Sequence, residues 1–405
     1  MNRRTGLIAG ASAVAVAAAA FLLPNADASS EHGPGVRSFA PQAAAQLGAT
    51  LASALGDGTA GWYYNADVKQ LVVNVLDPRT AERVDRTGAV AKVVRNSTAD
   101  LKGAARTLRM TASVPGTAWS VDPKTDTVSV LADSTVTGPG MATLNRALSR
   151  LDGLVTAKRT TGEFTAFTGG RARGHRMARG GADGGNNGAA DPTAPTAAAA
   201  GVQGGDAIFG GNVRCSLGFN VSMGGAPAFL TAGHCGNEAD TWFADRTGTQ
   251  QLGTVAATTF PVADFALVTY DDATTAAPSS VALGDGRAQD ITHAADAAVG
   301  LEVQRSGSTS GLHGGTVTGL DATVNYGNGD IVNGLVQTDV CAEPGDSGGP
   351  LFAADAAIGL TSGGSGDCTA GGETFFMPVT AALAATGATI GADSAGEPGG
   401  TAATP

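Results

Sequence analysis

Three short segments of the sequence contain the residue types of a serine nucleophile with its base. Ser347 lies between glycines in the segment EPGDSGGP at 343–350, His234 follows the apolar run AFLTAG, and Asp264 precedes the apolar run FALV. A hydroxyl attacks well only when a base takes its proton, and a neutral histidine can do so. A carboxylate is needed to hold that histidine in one tautomer. The sequence therefore predicts Ser347 as nucleophile, His234 as base and Asp264 as the orienting acid.

The glycines beside Ser347 indicate where the charge of an attacked carbonyl would be held. Glycine lets the backbone bend, so the N–H groups of Gly345 and Ser347 can point at one small cavity and form an oxyanion hole. Each segment also has a simpler interpretation: a Gly-Asp-Ser turn, a structural histidine, or a solvated carboxylate at a strand end. The occurrence of all three in the order His, Asp, Ser favours the catalytic interpretation.

The segment 202–390 has to position these residues, and its pattern is that of strands. Short apolar runs broken by Gly and Asn recur in it, among them CSLGFNV, APAFLTAG, DFALVTY and LVQTDV. Short strands with turn residues at this spacing are typical of an all-β barrel or sandwich. We expect no helix before Val379, and one closing helix over Val379–Thr386.

All four cysteines, Cys215, Cys235, Cys341 and Cys368, lie in this second half of the chain. An even number of cysteines in a chain with a predicted export signal favours disulfides. Zinc is the alternative, but no two of the cysteines have the short spacing of a zinc knuckle, and we expect neither a metal nor a cofactor. Four cysteines allow three pairings, and the sequence pattern leaves them open.

The first half of the chain contains segments of several kinds. Residues 1–28, with Arg3 and Arg4 before an apolar run that ends in Ala26-Asp27-Ala28, are typical of a secretory signal peptide. A membrane anchor is the alternative, but the apolar run is short and rich in alanine. We therefore expect a secreted, extracellular protein that leaves the membrane once the signal is removed.

Three further segments complete the predicted organisation. Residues 29–168 mix helix signals at 43–55 and 141–151 with strand signals, including a hairpin around Pro123, and predict a small α+β domain. Residues 169–201 almost lack bulky apolar side chains and predict a flexible linker with a processing site, with a basic nucleic-acid tail as the alternative. Residues 391–405 return to Gly, Ala and Pro and predict a disordered tail.

The net charge of −11 is distributed very unevenly. Residues 1–201 contain 21 basic and 15 acidic residues, whereas residues 202–405 contain 4 basic and 21 acidic ones, and no lysine follows Lys158. The second half therefore lacks the basic surface on which DNA or RNA binds, and we expect no nucleic-acid partner.

The second half resembles the chymotrypsin-like serine peptidases, and within them the bacterial streptogrisins and α-lytic protease. The resemblance runs from GGDAIFGG through CSLGFNV, FLTAGHC, QDITHAADAAVG, TVNYGNGD, CAEPGDSGGPLF, GLTSGGSGDC and FFMPVT, which is nearly all of 202–385. It implies two six-stranded antiparallel barrels with the active site between them, preceded by a small α+β pro-domain. It also favours the local disulfides, Cys215 with Cys235 and Cys341 with Cys368.

The same resemblance implies roles for single residues. Ser347, His234 and Asp264 match the catalytic triad, the amides of Gly345 and Ser347 match the oxyanion hole, and Ser362 matches a serine that hydrogen-bonds the triad acid. Two segments match the walls of the primary specificity pocket: Ala342, Glu343 and Pro344 on one side, and Ser362, Gly363 and Gly364 on the other. Neither wall has a basic residue, so we predict cleavage after large apolar residues. Relatives that cleave after glutamate carry histidines where Thr361 and Phe376 stand here.

The resemblance extends to activation and to the first half of the chain. Arg305, in QRSG, matches an arginine that pairs with the acid before the nucleophile, so we predict an ion pair between Arg305 and Asp346. Residues 29–168 resemble the pro-region of the family, which assists folding and then inhibits the enzyme, and its opposite charge would favour the encounter. The mature enzyme would begin near Val202, although Gly201 and Ala200 match a pocket for large side chains poorly.

The leading hypothesis is thus a secreted serine endopeptidase made with a pro-region. Its expected partners are protein and peptide substrates, its own pro-region and proteinaceous protease inhibitors, and we expect a monomer. Two alternatives are a catalytically inert homologue that binds proteins and a small-ester hydrolase. The intact set Ser347, His234 and Asp264 argues against an inert binder, and the resemblance in fold argues against the esterase.

Overall fold

The structure is a computed structural model, and it describes residues 35–167 and 202–391. The predicted signal peptide, the predicted linker and all of the predicted tail except Gly391 lie outside the described residues. Within the described residues, no helix is long and apolar enough to cross a membrane. We call residues 35–167 the N-terminal unit and residues 202–391 the barrel unit.

The N-terminal unit consists of two repeats of the order helix, strand, strand, helix, strand. In each repeat the first two strands pair antiparallel, and the second helix crosses over to a third strand that pairs parallel with the second. This confirms an α+β unit. Its elements are α1 (Pro41–Leu55), a 3-10 turn (Gly56–Gly58), β1 (Thr59–Asn65), β2 (Gln70–Val75), α2 (Pro78–Asp85), β3 (Val90–Val93), α3 (Thr98–Thr111), β4 (Thr117–Asp122), β5 (Thr127–Ala132), α4 (Gly138–Arg150), β6 (Val155–Arg159) and β7 (Thr165–Ala166).

Two of these helices, α2 and α3, were not predicted from the sequence. Asp77 caps α2 by accepting hydrogen bonds from Arg79 N and Thr80 N. Ser97 forms a capping box with Asp100 at the start of α3. Such caps satisfy the free N–H groups of a first helical turn, so both signals are present in the sequence.

The barrel unit is almost entirely made of strands. Its elements are β8 (Ala207–Gly210), β9 (Val213–Ser216), β10 (Phe219–Met223), β11 (Ala226–Thr231), α5 (Gly233–Gly236), β12 (Thr241–Phe243), β13 (Gln251–Thr259), β14 (Phe265–Tyr270), β15 (Ser280–Ala282), β16 (Ala288–Asp290), β17 (His293–Ala294), β18 (Glu302–Gly307), β19 (Gly311–Asn325), β20 (Ile331–Thr338), β21 (Pro350–Ala353), β22 (Ala356–Asp367), β23 (Gly371–Pro378) and α6 (Val379–Thr386). The predicted closing helix is present as α6, but the expectation of no earlier helix is wrong by one turn, α5.

Most of these strands form two sheets, which confirms the predicted chymotrypsin-like fold. Strands β15 and β16 pair separately, and β17 pairs parallel with β22. The first sheet has the order β10-β11-β14-β13-β12-β8-β9, one strand more than the six expected because a turn at Gly211 divides the first segment into the hairpin β8–β9. The second has six strands in the order β18-β21-β22-β23-β20-β19, and the pairing of β18 with β19 closes it. Apolar side chains from both sheets share one buried cluster, which includes Leu230, Leu267 and Leu360.

The N-terminal unit extends the second barrel as a continuous sheet. Strand β4 pairs antiparallel with β19, so that β4, β5 and β6 continue the hydrogen-bonded order beyond the barrel. Ala118, Leu131 and Phe164 of the N-terminal unit belong to the same buried apolar cluster as the barrel residues. The two units are therefore joined by backbone pairing and by a shared core.

A chain of polar contacts crosses the same interface. Ser120 Oγ donates to Gln337 Oε1 at 2.7 Å, and Gln337 Nε2 donates to Glu373 Oε2 at 2.8 Å. Lys158 Nζ lies 3.9 Å from Glu373 Oε1. Burial raises the pKa of Glu373, while the Gln337 hydrogen bond and the Lys158 charge oppose that shift. These contacts give Glu373 partners on both sides of the interface.

Gly319 offers a test of this interface. A Cβ added at Gly319 would lie 2.8 Å from Ser120 Cβ and closer still to Ser120 Oγ. Overpacking of this kind costs about 1–3 kcal/mol. We predict that Gly319→Ala weakens the binding of the two units by about 10- to 100-fold, measured by surface plasmon resonance after the chain is cut between them.

The matched control is Ser120→Gly, which removes the clashing side chain. The double variant should bind as tightly as Ser120→Gly alone. If Gly319→Ala weakened binding equally with and without Ser120→Gly, the close packing of β4 on β19 would be refuted.

Candidate active site

The histidine of the predicted site is positioned by a strand, a helical turn and a disulfide. Strand β11 ends at Thr231 and is followed by α5, which contains His234 and Cys235. Cys235 is bonded to Cys215 on β9. His234 is 5 % exposed, and the Phe260 ring packs edge-on against it at 5.6 Å between ring centroids. These contacts fix the orientation of the imidazole.

Asp264 lies immediately before β14 and is completely buried. Its carboxylate accepts hydrogen bonds from the His234 backbone N–H at 2.9 Å and contacts His234 Nδ1 at 2.9 and 3.0 Å. A buried carboxylate requires such donors, and both come from one residue. Because the ionised carboxylate only accepts hydrogen bonds, Nδ1 carries the imidazole hydrogen.

The other ring nitrogen faces the predicted nucleophile. His234 Nε2 lies 2.7 Å from Ser347 Oγ, and Ser347 is fully buried. An imidazole with its hydrogen on Nδ1 accepts a hydrogen bond from the serine hydroxyl at Nε2. The structure thus brings Asp264, His234 and Ser347, which are far apart in sequence, into one hydrogen-bonded line.

The loop before Ser347 requires glycine at one position. Gly345 has a φ of 104°, and a Cβ there would lie 2.7 Å from Arg214 Nη2 and closer to Thr309 Oγ1. A residue with a side chain would be strained in this conformation and would also clash. The glycine therefore allows the loop to turn the Gly345 N–H into the cleft, where it donates a hydrogen bond to the Phe167 carbonyl.

The predicted partner of Asp346 is Arg305. Arg305 Nη1 lies 3.2 Å from Asp346 Oδ2, and neither side chain is exposed. This contact is an ion pair without a hydrogen bond, because Nη1 makes no aligned hydrogen bond. Arg305 Nε donates a hydrogen bond to the Cys341 carbonyl. Burial lowers the pKa of Arg305, and the Asp346 and Glu343 carboxylates oppose that shift.

Asp346 has further donors that hold the loop from several sides. Its carboxylate accepts hydrogen bonds from the backbone N–H of Thr309, Ser310 and Glu343. The Ser310 hydroxyl donates to it as well. The negative charge is therefore fully satisfied inside the barrel unit.

The second disulfide joins Cys341 to Cys368, next to the predicted pocket walls. His313 lies close to both sulfur atoms, so the three residues have the spacing of a metal site. The two sulfurs are bonded to each other, and neither is available as a thiolate ligand. Both pairings in the structure are the local ones.

A segment of the N-terminal unit occupies the cleft beside these residues. Strand β7 pairs antiparallel with β22, with Ala166 opposite Gly363 and Thr165 opposite Gly364. Phe167 N donates to the Ser362 carbonyl at 3.3 Å, and the Phe167 carbonyl accepts from Gly345 N at 2.7 Å. Phe167 is 2 % exposed. Three predicted pocket residues thus bind the backbone of this segment.

The other three predicted pocket residues form the loop before Gly345. Glu343 Oε1 accepts a hydrogen bond from Cys368 N, and the Pro344 carbonyl accepts one from Thr309 Oγ1. Ala342 is buried, with 2 % of its surface exposed. These hydrogen bonds of Glu343 and Pro344 are therefore with the barrel unit itself.

The hydroxyl of Ser362 has a partner that differs from the predicted one. Ser362 Oγ lies 3.1 Å from Tyr326 Oη, whereas the prediction gave it to Asp264. Burial raises the pKa of Tyr326, so its phenol is protonated and can donate. Tyr326, Phe260 and Phe167 are the site residues that sequence reasoning missed. The first lies in the motif TVNYGNGD, which was noted without a role for its tyrosine.

The buried ion pair leads to a stability prediction. Arg305→Ala should lower the free energy of unfolding of the barrel unit by about 3–5 kcal/mol, because it leaves the Asp346 charge without its cation. Urea unfolding followed by tryptophan fluorescence measures this. The control is Arg287→Ala, which removes an exposed ion pair to Asp285 and should leave the unfolding midpoint unchanged. Equal midpoints for both variants would refute the role of Arg305.

Comparisons with known proteins agree with this geometry. A family model described as "Trypsin" matches residues 202–385, and two models for the alpha-lytic protease pro-region match 35–94 and 96–152. Streptogrisin-D of Streptomyces griseus is 48 % identical over 96 % of this chain and 91 % of its own length. Streptogrisin-A of the same organism is 44 % identical over 69 % of this chain and 80 % of its own length.

A solved structure of a glutamic-acid-specific serine protease is 44 % identical, with a TM-score of 0.45, over 47 % of this chain and all of its own. The matches to the pro-region models account for the N-terminal unit, and the trypsin match accounts for the barrel unit. Together with the identity to streptogrisin-D over nearly the whole chain, they show that the chain is a serine endopeptidase with a prodomain and belongs to the streptogrisin and alpha-lytic protease family of chymotrypsin-like serine peptidases.

Proposed function

We propose that the protein is a secreted endopeptidase that cleaves proteins after large apolar residues through an acyl-enzyme formed on Ser347. The observation that carries this proposal is the line of contacts from Asp264 through His234 to Ser347, each between 2.7 and 3.0 Å. An inert binding protein has no need for this line. The signal pattern at residues 1–28 supports secretion.

The first half of the reaction follows from the position of each proton. Ser347 Oγ attacks the carbonyl carbon of the substrate while its proton passes to His234 Nε2. The ion pair of the resulting imidazolium with Asp264 stabilises the charge that forms on the ring. The carbonyl oxygen becomes an oxyanion, held by the amides of Gly345 and Ser347. When the C–N bond breaks, His234 gives its proton to the leaving amine.

The second half repeats the sequence with water. His234 takes a proton from water, whose oxygen attacks the ester carbonyl of the acyl-enzyme. The bond from the carbonyl carbon to Ser347 Oγ then breaks, and His234 returns the proton to the serine. The product leaves with a new carboxylate, and the enzyme is regenerated.

The composition of the pocket walls supports an apolar preference. No lysine, arginine or histidine occurs in Ala342–Pro344 or in Ser362–Gly364, and Glu343 adds a negative charge. A glutamate side chain would enter without a cation and beside a carboxylate, which is unfavourable. Phe167, whose backbone is hydrogen-bonded to Ser362 and Gly345 and whose side chain is buried, is of the favoured class.

The proposed partners follow from the shape of the same cleft. An extended segment binds to β22 through its backbone, so proteins and peptides fit as substrates. Protein inhibitors that present an extended loop would bind in the same way. We propose that the mature enzyme acts as a monomer, because the barrel unit supplies all three members of the catalytic line.

Loss of the nucleophile tests the proposal directly. We expect the processed protein to hydrolyse casein and to be labelled by a serine-directed phosphonyl reagent. Ser347→Ala should lower kcat/KM by about 10⁶-fold and abolish labelling. Asp264→Asn should lower kcat by about 10⁴-fold, because it reverses the preferred tautomer of His234. Casein left intact by the wild type would refute the proposal.

Peptide substrates that differ only at the residue before the cleaved bond test the specificity. We expect kcat/KM for phenylalanine to exceed that for glutamate by at least about 100-fold, since the glutamate carboxylate would be buried without a partner. Glycine should be poorer than phenylalanine by about 10- to 100-fold, because it buries no apolar side chain. A preference for glutamate would contradict the proposed pocket.

A further inference from the structure

The segment that ends the N-terminal unit occupies the cleft in the manner of a substrate. Phe164 N donates to Asp133 Oδ2 at 2.7 Å, and the Phe164 ring packs edge-on against Phe375 at 5.6 Å. Asp133 also accepts from Thr135 N and Oγ1. These contacts anchor the chain three residues before Phe167, so the end of the segment enters the cleft in a fixed register.

The register places one carbonyl group at the reacting position. The Phe167 carbonyl oxygen lies 2.7 Å from Gly345 N, the distance at which an oxyanion-hole donor contacts its acceptor. The Phe167 N–H is bonded to Ser362, and the side chain is 2 % exposed. Residues Thr165 and Ala166 continue the pairing along β22. Phe167 therefore has the backbone contacts and the burial of the residue whose carbonyl is attacked.

The start of the barrel unit does not have these features. The carbonyl of Val202 accepts a hydrogen bond from Asn220 Nδ2, and Gln203 N donates to Asp206 Oδ2 at 2.7 Å. Gly204 pairs with Val281 on β15. This part of the chain is held in the first barrel, and the residue before Val202 is a glycine, which offers no side chain to the pocket.

We infer that the protein cuts its own chain on the carboxyl side of Phe167, within one molecule, and that the bond before Val202 is not its first self-cleavage site. This inference rests on the proposed function. It differs from the sequence-based expectation, which placed the processing site in 169–201 and the mature start near Val202. The fragment released by this cut contains the barrel unit, begins with residue 168 and includes the segment 168–201.

The step uses the chemistry already described and needs no further reactant than water. Ser347 Oγ bonds to the Phe167 carbonyl carbon, the bond from that carbon to the nitrogen of residue 168 breaks, and the serine proton moves through His234 to the departing amine, which becomes the new α-amino group of residue 168. Water then hydrolyses the ester. The N-terminal unit ends in a Phe167 carboxylate, and the serine recovers its proton.

The test follows the first cut in the full-length chain by intact mass and terminal sequencing of both fragments. The expected N-terminal fragment ends at Phe167, and its rate of formation does not change with protein concentration. Phe167→Asp should slow this cut by at least 100-fold, whereas Phe167→Leu should stay within tenfold of the wild type. Ser347→Ala is the uncut control. Val202→Pro protects the bond before residue 202 and should leave the Phe167 cut unchanged.

Two results would overturn the inference. One is a first cut at any other bond in the wild type, and the other is a rate at Phe167 that rises with protein concentration. Hydrolysis of casein by the same preparation distinguishes failure of the self-processing site from failure of the proposed function. Casein cleavage with a first cut elsewhere refutes only the self-processing site, whereas intact casein refutes the proposed function as well.

Discussion

The buried carboxylate of Asp264 is the constraint around which the active site is arranged. A charge removed from water needs donors, and Asp264 obtains a backbone and a ring donor from one residue, His234. Both donors reach it only if the helical turn α5 follows β11 directly, and the Cys215–Cys235 disulfide holds that turn against β9. With Nδ1 committed to the acid, Nε2 can face only the loop of Ser347. The position of the nucleophile is thus set by the need to satisfy one buried charge.

A second buried charge, that of Asp346, holds the loop of Gly345 in a comparable way. Asp346 contacts the Arg305 guanidinium and accepts hydrogen bonds from several donors of the barrel unit, and these contacts hold the loop of Gly345 in place. Ion pairs contribute little to the interface between the two units. In residues 35–167 and 202–391, Lys158–Glu373 is the one ion pair that joins the units, and the Lys158 side chain is 73 % exposed. Backbone pairing and shared apolar packing therefore hold the units together.

The features that could be predicted are those with a local cause. Ser347, His234 and Asp264 stand beside glycines and apolar strands, and the hairpin of β4 and β5 and the helices α1 and α4 follow from periodicity. Helices α2 and α3 were not predicted, although their capping residues, Asp77 and Ser97, are recognisable in the sequence. The role of Phe167 could not be found in this way. Nothing near it in sequence distinguishes it from other phenylalanines, and only the anchoring of Phe164 by Asp133, 31 residues away, sets the register.

The glycines of the pocket wall show how one sequence feature can have a different cause from the one first assigned. Gly363 and Gly364 were predicted as part of one wall of the specificity pocket. A Cβ on Gly363 would lie 2.9 Å from Ala166 Cα and closer to the Thr165 carbonyl, so its missing side chain admits the bound strand. The wall therefore recognises an extended backbone of any sequence. Under the proposed function, the choice among residues falls to the single buried side chain at the end of that strand. We expect the same division between backbone binding and side-chain selection for a foreign substrate and for the enzyme's own chain.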